Sequence, residues 1–303
     1  MTKDLTPEQL RHVMHGISVP PQPQILVDIH MEQAMPNPDI CRITDLISRD
    51  VGLAGTVLKV VNSDIYGLKN KITSISQAVR VLGLSCVINI VNGLSIKSEM
   101  SDETVVALTG FWDTAMDIAA TASTLSKQIG FQAPDVAYSL GLFHNCGVPL
   151  LYKHFSHYQT IIELSYGQSD ERIIDTENRE LQTNHAVLGS YVARSWRLPI
   201  EMCEVIAEHH NVDAIFNGAL RENYDPYKKT LLAILKMAEH ICGCYRILGA
   251  QSMDYEWERI KTSLLEYVGL SEIDFEDLEA NFVSLGIGST SHSFFDKKLE
   301  AGR

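Results

Sequence analysis

Positive charge, long apolar runs and structural cysteine patterns are all scarce in this 303-residue chain, and each scarcity excludes something. Its 25 Lys and Arg stand against 38 Asp and Glu, a net charge of −13. Binding nucleic acid or an anionic membrane takes a basic footprint that neutralises phosphates, so this balance predicts neither partner. No apolar run approaches the ~18 residues needed to cross a bilayer. Met1-Thr2-Lys3-Asp4 leads straight into a polar helix start with no apolar h-region, which predicts no secretory leader. Six cysteines (Cys41, Cys86, Cys146, Cys203, Cys242, Cys244) fall mostly at apolar helical positions. They read as free thiols of a reducing, cytoplasmic setting rather than as a disulfide framework. Cys242 and Cys244 are two apart and diverge on a helix, and no zinc-type spacing completes a site with them. No internal repeat and no long low-complexity segment is present.

Helix punctuation is abundant. Thr6-Pro7-Glu8-Gln9 is a capping box with Pro at the first helical position, predicting a short helix to His15. Pro20, Pro21 and Pro23 make an extended connector. A helix through Ile25 and Ile29 to Ala34 follows, and Asn37-Pro38 caps and opens the next one. Asp50 heads a helix whose Leu53, Val57, Val60 and Val61 form an i, i+4, i+7, i+8 stripe. Ser74-Ile75-Ser76-Gln77 is a second capping box, and Val87, Ile90, Val91 and Leu94 repeat at helical spacing. Ser101 starts a long helix through Trp112 to Ile129, and Pro134 starts another. Ser169 to Arg172 opens a charged helix to Leu181, Asn184 caps the one after it, and Pro199 heads one that ends at His209-His210-Asn211. Leu231 to Ile247, Glu256 to Tyr267 and Ile273 to Leu285 complete the set, while the tail from Gly286 is small and polar. Residues 1–212 alternate nowhere long enough for a significant strand. The expectation is an all-α helical bundle: an N-terminal helix in 1–16, a bundle in 17–99, a second bundle in 100–212, and a C-terminal helical extension in 213–303 that packs on the second bundle.

The stretch Gly141-Leu142-Phe143-His144-Asn145-Cys146-Gly147 lies inside an apolar run from Val136 to Leu151. On one helix the adjacent His144 and Asn145 would sit about 100° apart and could lean into one pocket. Polar side chains on a buried helix require partners. A lone His on such a helix is ordinarily a core residue bonded to a backbone carbonyl, so more than spacing is required to read it as a site.

Three stretches together resemble one family, the HDOD domain, a relative of HD-type metal phosphohydrolases. The first is Pro20 to Gln24 with Ile47-Ser48-Arg49-Asp50-Val51-Gly52-Leu53. The second is Val61-Asn62-Ser63-Asp64-Ile65-Tyr66-Gly67-Leu68 running into Ile72 to Leu84. The third joins Phe111-Trp112, Gly141 to Gly147, and Glu208-His209-His210. The resemblance covers residues 17–212 and implies an all-helical signalling or regulatory module of bacterial type. Catalytic HD relatives use an earlier His, a His-Asp pair and later His or Asp residues to hold one or two metals against a phosphoester. Carried over one position at a time, the pair falls on His144-Asn145, a later ligand on His185, and a final pair on His209-His210. After Trp112, where the earlier His should stand, Asp113-Thr114-Ala115 offers none, although Asp113 is a conceivable substitute.

The resemblance therefore implies a vestigial pocket of His144, Asn145, His185, His209 and His210, with no catalytic residue assigned. No cofactor is expected. A divalent metal is the alternative, of the Zn, Ni or Cu kind that suits imidazole and an amide rather than Mg or Mn. An uncharged Asn145 suits a neutral imidazole cluster, where it can donate to one ring nitrogen and accept from another. His210 can also serve as a helix C-terminal residue favoured by the dipole, and His154 and His157 read as solvated. Three functions follow. The first is a non-catalytic regulatory protein that binds a signalling partner or a small ligand. The second is a metal-dependent phosphohydrolase of nucleotides or phosphoesters, and the third a helical dimerisation module with an idle pocket. The length leaves no room for a receiver or kinase domain, so an input signal is expected from another chain.

Overall fold

A computed structural model describes residues 17, 24–98, 109–196 and 198–288. The expected helix at Thr6 to His15 and the start at Ser101 lie outside the described residues. Among the described residues every regular element is helical.

Residues 24–98 form five α-helices: α1 (Gln24–Gln33), α2 (Ile40–Arg49), α3 (Val51–Val61), α4 (Ile75–Leu82) and α5 (Leu84–Ser98). Their starts are set by side-chain chemistry. The Asp50 carboxylate accepts from the Leu53 amide at 3.0 Å, and the Ser74 hydroxyl accepts from the Gln77 amide at 3.3 Å. Each satisfies an amide that the first helical turn leaves without a partner. The cap of α2 is Asp39 rather than Asn37, accepting from Cys41 and Arg42. Asp39 stands immediately before the first helical residue, where a short acceptor can reach back. Leu26, Ile29, Ile43, Ile47, Val57, Val61, Val87 and Val91 are fully buried and form a wholly apolar centre.

The second bundle begins with α6 (Thr109–Gln128), α7 (Pro134–Phe143), α8 (Val148–His154), α9 (Tyr158–Tyr166), α10 (Ile173–Leu181), α11 (His185–Ser195) and α12 (Ile200–Glu208). A single π-helical turn, Asp213–Asn217, follows. Then come α13 (Pro226–Cys242), α14 (Cys244–Ile247), α15 (Tyr255–Val268) and α16 (Glu272–Ser284). One hydrophobic cluster runs from Phe111 to Ile287, so these last helices share the core of the second bundle. α13 lies against α6, α7 and α12 and buries Leu231, Leu232, Ile234, Leu235 and Met237 completely. At roughly 1.5–3 kcal/mol for each large apolar side chain removed from water, α13 is a major part of that core.

Two expected helices end early. The apolar run from Leu231 to Ile247 is broken at Gly243, whose φ of 70° lies in the left-handed region that glycine adopts without strain. The helix headed by Pro199 stops at Glu208, before the two histidines. No helix among the described residues is long and apolar enough to cross a membrane.

Candidate functional site

The His144–Asn145 pair does not lie within a helix. α7 ends at Phe143, and residues 144–147 form a turn into α8, where Pro149 occupies an early position. Gly147 sets how closely this turn approaches α11. A Cβ there would stand 2.2 Å from the His185 carbonyl oxygen and 2.9 Å from the Gly189 amide nitrogen. Only a bare backbone can press this closely on α11, and that approach brings His144 and His185 to one space.

Four imidazoles converge there. His185 is the first residue of α11, held by the Asn184 side chain, which accepts from the Val187 amide at 2.9 Å. His209 and His210 follow the last residue of α12. All four rings are at most 1% exposed. Ring centroids are 5.5 Å apart for His144 and His209, 5.0 Å for His185 and His210, and 4.1 Å for His209 and His210.

The hydrogen-bond partners fix the tautomers. His144 Nδ1 lies 2.8 Å from the Gly141 carbonyl and His209 Nδ1 lies 2.7 Å from the Ile206 carbonyl. A carbonyl only accepts, so both Nδ1 atoms carry hydrogen. His185 Nδ1 lies 2.7 Å from a Glu177 oxygen that also accepts from the His185 amide, while Tyr158 donates its hydroxyl to the other Glu177 oxygen at 2.5 Å. His210 Nδ1 meets Glu256 at 2.8 Å. With every Nδ1 donating outward, the Nε2 atoms turn inward. His185 Nε2 is 3.0 Å from His210 Nε2 and 3.4 Å from His209 Nε2. Bare lone pairs at these distances repel, and a proton or a metal ion between them would relieve the repulsion.

Beside the rings lies a buried ion cluster that the sequence reading did not single out. Lys236 Nζ is 2.7 Å from Glu239 Oε2 and 2.7 Å from Glu256 Oε2. Glu239 Oε1 is in turn 3.2 Å from His144 Nε2. Lys236 and Glu239 come from α13 and Glu256 from α15. Burial would lower the Lys236 pKa, but the two carboxylates override it and hold the ammonium above the usual lysine range. Burial would raise Glu239, yet Lys236 and His144 hold it well below the usual carboxylate range. Glu256 moves the other way: burial raises it, and the neighbouring Glu239 carboxylate adds to that against the pull of Lys236. Burial, His210 and Lys236 hold His209 well below the ordinary imidazole value, and burial, Lys236 and His185 do the same to His210.

The sequence matches the HDOD domain family over residues 19–212. The chain belongs to the HDOD family. An uncharacterised protein of Treponema pallidum is 30% identical over 201 residues, 64% of this chain but 38% of that protein. The chain thus spans well under half of this relative's length. Among solved structures, an HDOD domain protein of unknown function from Geobacter sulfurreducens aligns with a TM-score of 0.64 at 23% identity, covering 94% of this chain and 97% of that one. A proposed phosphohydrolase from Shewanella amazonensis aligns with a TM-score of 0.61 at 18% identity, over 91% and 93% of the two chains. At these identities the two structures share the fold.

Within this HDOD chain the structure gathers His144, Asn145, His185, His209 and His210 into one buried region and leaves the other candidates outside. Asp113 is exposed, 3.8 Å from Lys59, and takes no part. His154 and His157 are exposed. Asn145 bonds no ring nitrogen, unlike the expectation. Its Nδ2 donates to Cys244 Sγ at 3.7 Å, and its Oδ1 has no hydrogen-bond partner among the described residues. The turn geometry aims its amide at the start of α14 instead of at the imidazoles.

The residues fit a metal in one half of the pocket and not in the other. Imidazole nitrogens around a tetrahedral zinc with ~2.0–2.1 Å bonds would be roughly 3.4 Å apart, close to the spacing of His185, His209 and His210. Their Nδ1 atoms donate to carboxylates or a carbonyl, the arrangement that orients ligating histidines. Neutral imidazoles suit Zn, Ni or Cu. Such an ion would act as a Lewis acid toward a bound water. The other group of potential ligands, His144, Glu239 and Cys244, already faces the Lys236 ammonium. Burial and then Glu239 push the Cys244 thiol well above its ordinary range, so it stays protonated.

Proposed function

We propose that this chain is a non-catalytic signal-transduction module that acts by binding a partner protein or a small ligand. The observation that carries this reading is the sealing of the histidine pocket. His144, Asn145, His185, His209 and His210 are at most 3% exposed. The cavity beside them, lined by Tyr166, Lys236, Glu239, Glu256 and Trp257, holds about 20 Å³. That is room for a single water, for which ~10–15 Å³ suffices. A phosphoester cannot reach the imidazoles without displacing α13 or α15. A larger cavity of about 510 Å³, lined by Lys59, Asn62, Lys71, Asp117 and Ile287, opens between α3 and α6 and is of a size that takes small ligands.

The second reading, a metal-dependent phosphohydrolase, draws on the trihistidine geometry. The two separate in one assay of the full chain. Incubation with bis-p-nitrophenyl phosphate, cyclic dinucleotides and ppGpp in Mn, Mg, Ni or Zn is expected to give no turnover. Turnover that disappears in His144→Ala and His209→Ala would establish the phosphohydrolase instead.

A further inference from the structure

We propose that Lys236 is an internal cation that takes the place of a divalent ion in the half of the pocket built by His144, Glu239 and Glu256. Long cationic side chains ordinarily run along apolar surface and leave the charged head in water. Lys236 does the opposite. It is 4% exposed, lies on α13, most of whose residues are buried, and ends 2.7 Å from one oxygen of each of two carboxylates. Those carboxylates are themselves only 6% exposed and each reaches an imidazole, Glu239 to His144 Nε2 and Glu256 to His210 Nδ1. A positive charge bridging two carboxylates beside histidine nitrogens is what a bound divalent ion would supply. Here the charge is tethered to α13 and is present as soon as the chain folds.

Other features of this half agree. Asn145 contributes no negative charge to a metal, and its amide is turned to Cys244. An ammonium already 2.7 Å from one oxygen of each carboxylate repels an incoming cation and offsets the negative charge that would attract it. The pocket is therefore mononuclear at most, the set left to a metal among the described residues being His185, His209 and His210, and its lysine half is assembled without metal. This goes beyond the regulatory reading and can fail separately from it: two bound metals without turnover would sink the inference alone.

The test counts metal. Full-length protein purified without a polyhistidine tag is incubated with Zn²⁺ or Mn²⁺, desalted and analysed for metal per chain. Wild type is expected to retain at most one equivalent, with the count unchanged in His144→Ala. Lys236→Ala is expected to melt below wild type in chelator, to retain one equivalent more than wild type, and to recover melting temperature when the ion is added. Two equivalents on wild type, one of them lost in His144→Ala, would overturn the proposal. So would a folded Lys236→Ala that retains no more metal than wild type. Should Lys236→Ala fail to fold with or without metal, the wild-type and His144→Ala counts decide the question by themselves.

Discussion

One half of the buried pocket is made of imidazole rings and the other of a lysine set between two carboxylates. His185, His209 and His210 turn three Nε2 atoms toward one another and anchor each Nδ1 on a carboxylate or carbonyl. A few ångströms away Lys236 lies between Glu239 and Glu256. The first half presents ring nitrogens that a metal ion could bridge with little rearrangement. The second already holds a cation, the Lys236 side-chain ammonium carried on α13. The halves also differ in where they come from. The rings and Glu177 lie within residues 19–212, the stretch that matches the family, whereas Lys236, Glu239 and Glu256 lie beyond it. The C-terminal helices thus close the pocket and set its charge, and the comparison predicts different responses to mutation, acid and metal.

The largest effect belongs to the charged half. Lys236→Met keeps much of the side-chain volume and removes the ammonium, leaving Glu239 and Glu256 buried beside each other. Breaking a buried ion pair by removing one partner costs about 3–5 kcal/mol, mostly from the uncompensated charge left behind. Chemical denaturation at neutral pH is expected to show a loss of that size. Adding Glu256→Gln to Lys236→Met should restore part of it, because the second change removes one of the stranded charges. A Lys236→Met protein as stable as wild type would mean that the carboxylates take up protons freely and that the two halves do not differ as described.

Acid should act on the ring half. Burial holds the folded-state pKa of His209 and His210 well below the ordinary value. Above roughly pH 6.5 both are neutral whether folded or unfolded, so no penalty exists there. Below it the unfolded chain takes up protons that the folded chain refuses, and stability falls as pH falls. The slope is about 1.4 kcal/mol per pH unit for each histidine, hence about 2.7 kcal/mol per unit for two. Glu239, held low, and Lys236, held high, do not change charge between pH 7.5 and 5.5, while Glu256, held up by burial, protonates earlier in the folded chain and offsets part of this slope. Denaturation curves at pH 7.5, 6.5 and 5.5 should therefore slope in wild type and flatten in a His209→Gln, His210→Gln variant. A flat wild-type profile would contradict the burial argument.

Much of the fold is legible because helix starts are written locally. Asp50, Ser74 and Asn184 each cap the helix expected of them. The four imidazoles could be found because the family resemblance joins segments far apart in sequence. What stayed hidden depends on contacts between elements. The turn after Phe143 lies inside a mostly apolar stretch from Val136 to Leu151, where Pro149 is its one local signal and the approach of Gly147 to the His185 carbonyl sets its position. Glu177 is buried, yet it sits among Asn178, Arg179 and Glu180 in a helix that reads as charged, with nothing in the sequence to set it apart from its neighbours. Glu256 occupies a first helical turn, where an acid is ordinary for dipole reasons alone. Lys236 and Glu239 did carry a signal: opposite charges three residues apart inside an otherwise apolar helix, a spacing that puts both on one buried face.

Asn145 sits at the join between the halves, and changing it gives the smallest effect and the sharpest distinction. Its side chain is 3% exposed, donates to Cys244 and leaves Oδ1 without a hydrogen-bond partner among the described residues. Asn145→Asp replaces the donor with an oxygen and adds a negative charge to a region that already holds Glu239. Cys244, as a protonated thiol, can offer only a weak hydrogen bond in return. An incompletely compensated buried charge of this kind should cost about 1–3 kcal/mol in metal-free protein. Stoichiometric Zn or Mn should then recover part of the loss, because a ligand that binds only the folded state stabilises it. If the join belongs to the ring half, the gain depends on His185 and His209 and vanishes in His209→Ala. If it belongs to the charged half, the gain depends on His144 and survives His209→Ala. Thermal melting of wild type, Asn145→Asp, and Asn145→Asp combined with His209→Ala or with His144→Ala, with and without metal, separates these cases. The Lys236 geometry predicts the first, since the ammonium beside Glu239 and Glu256 repels a second cation placed next to His144.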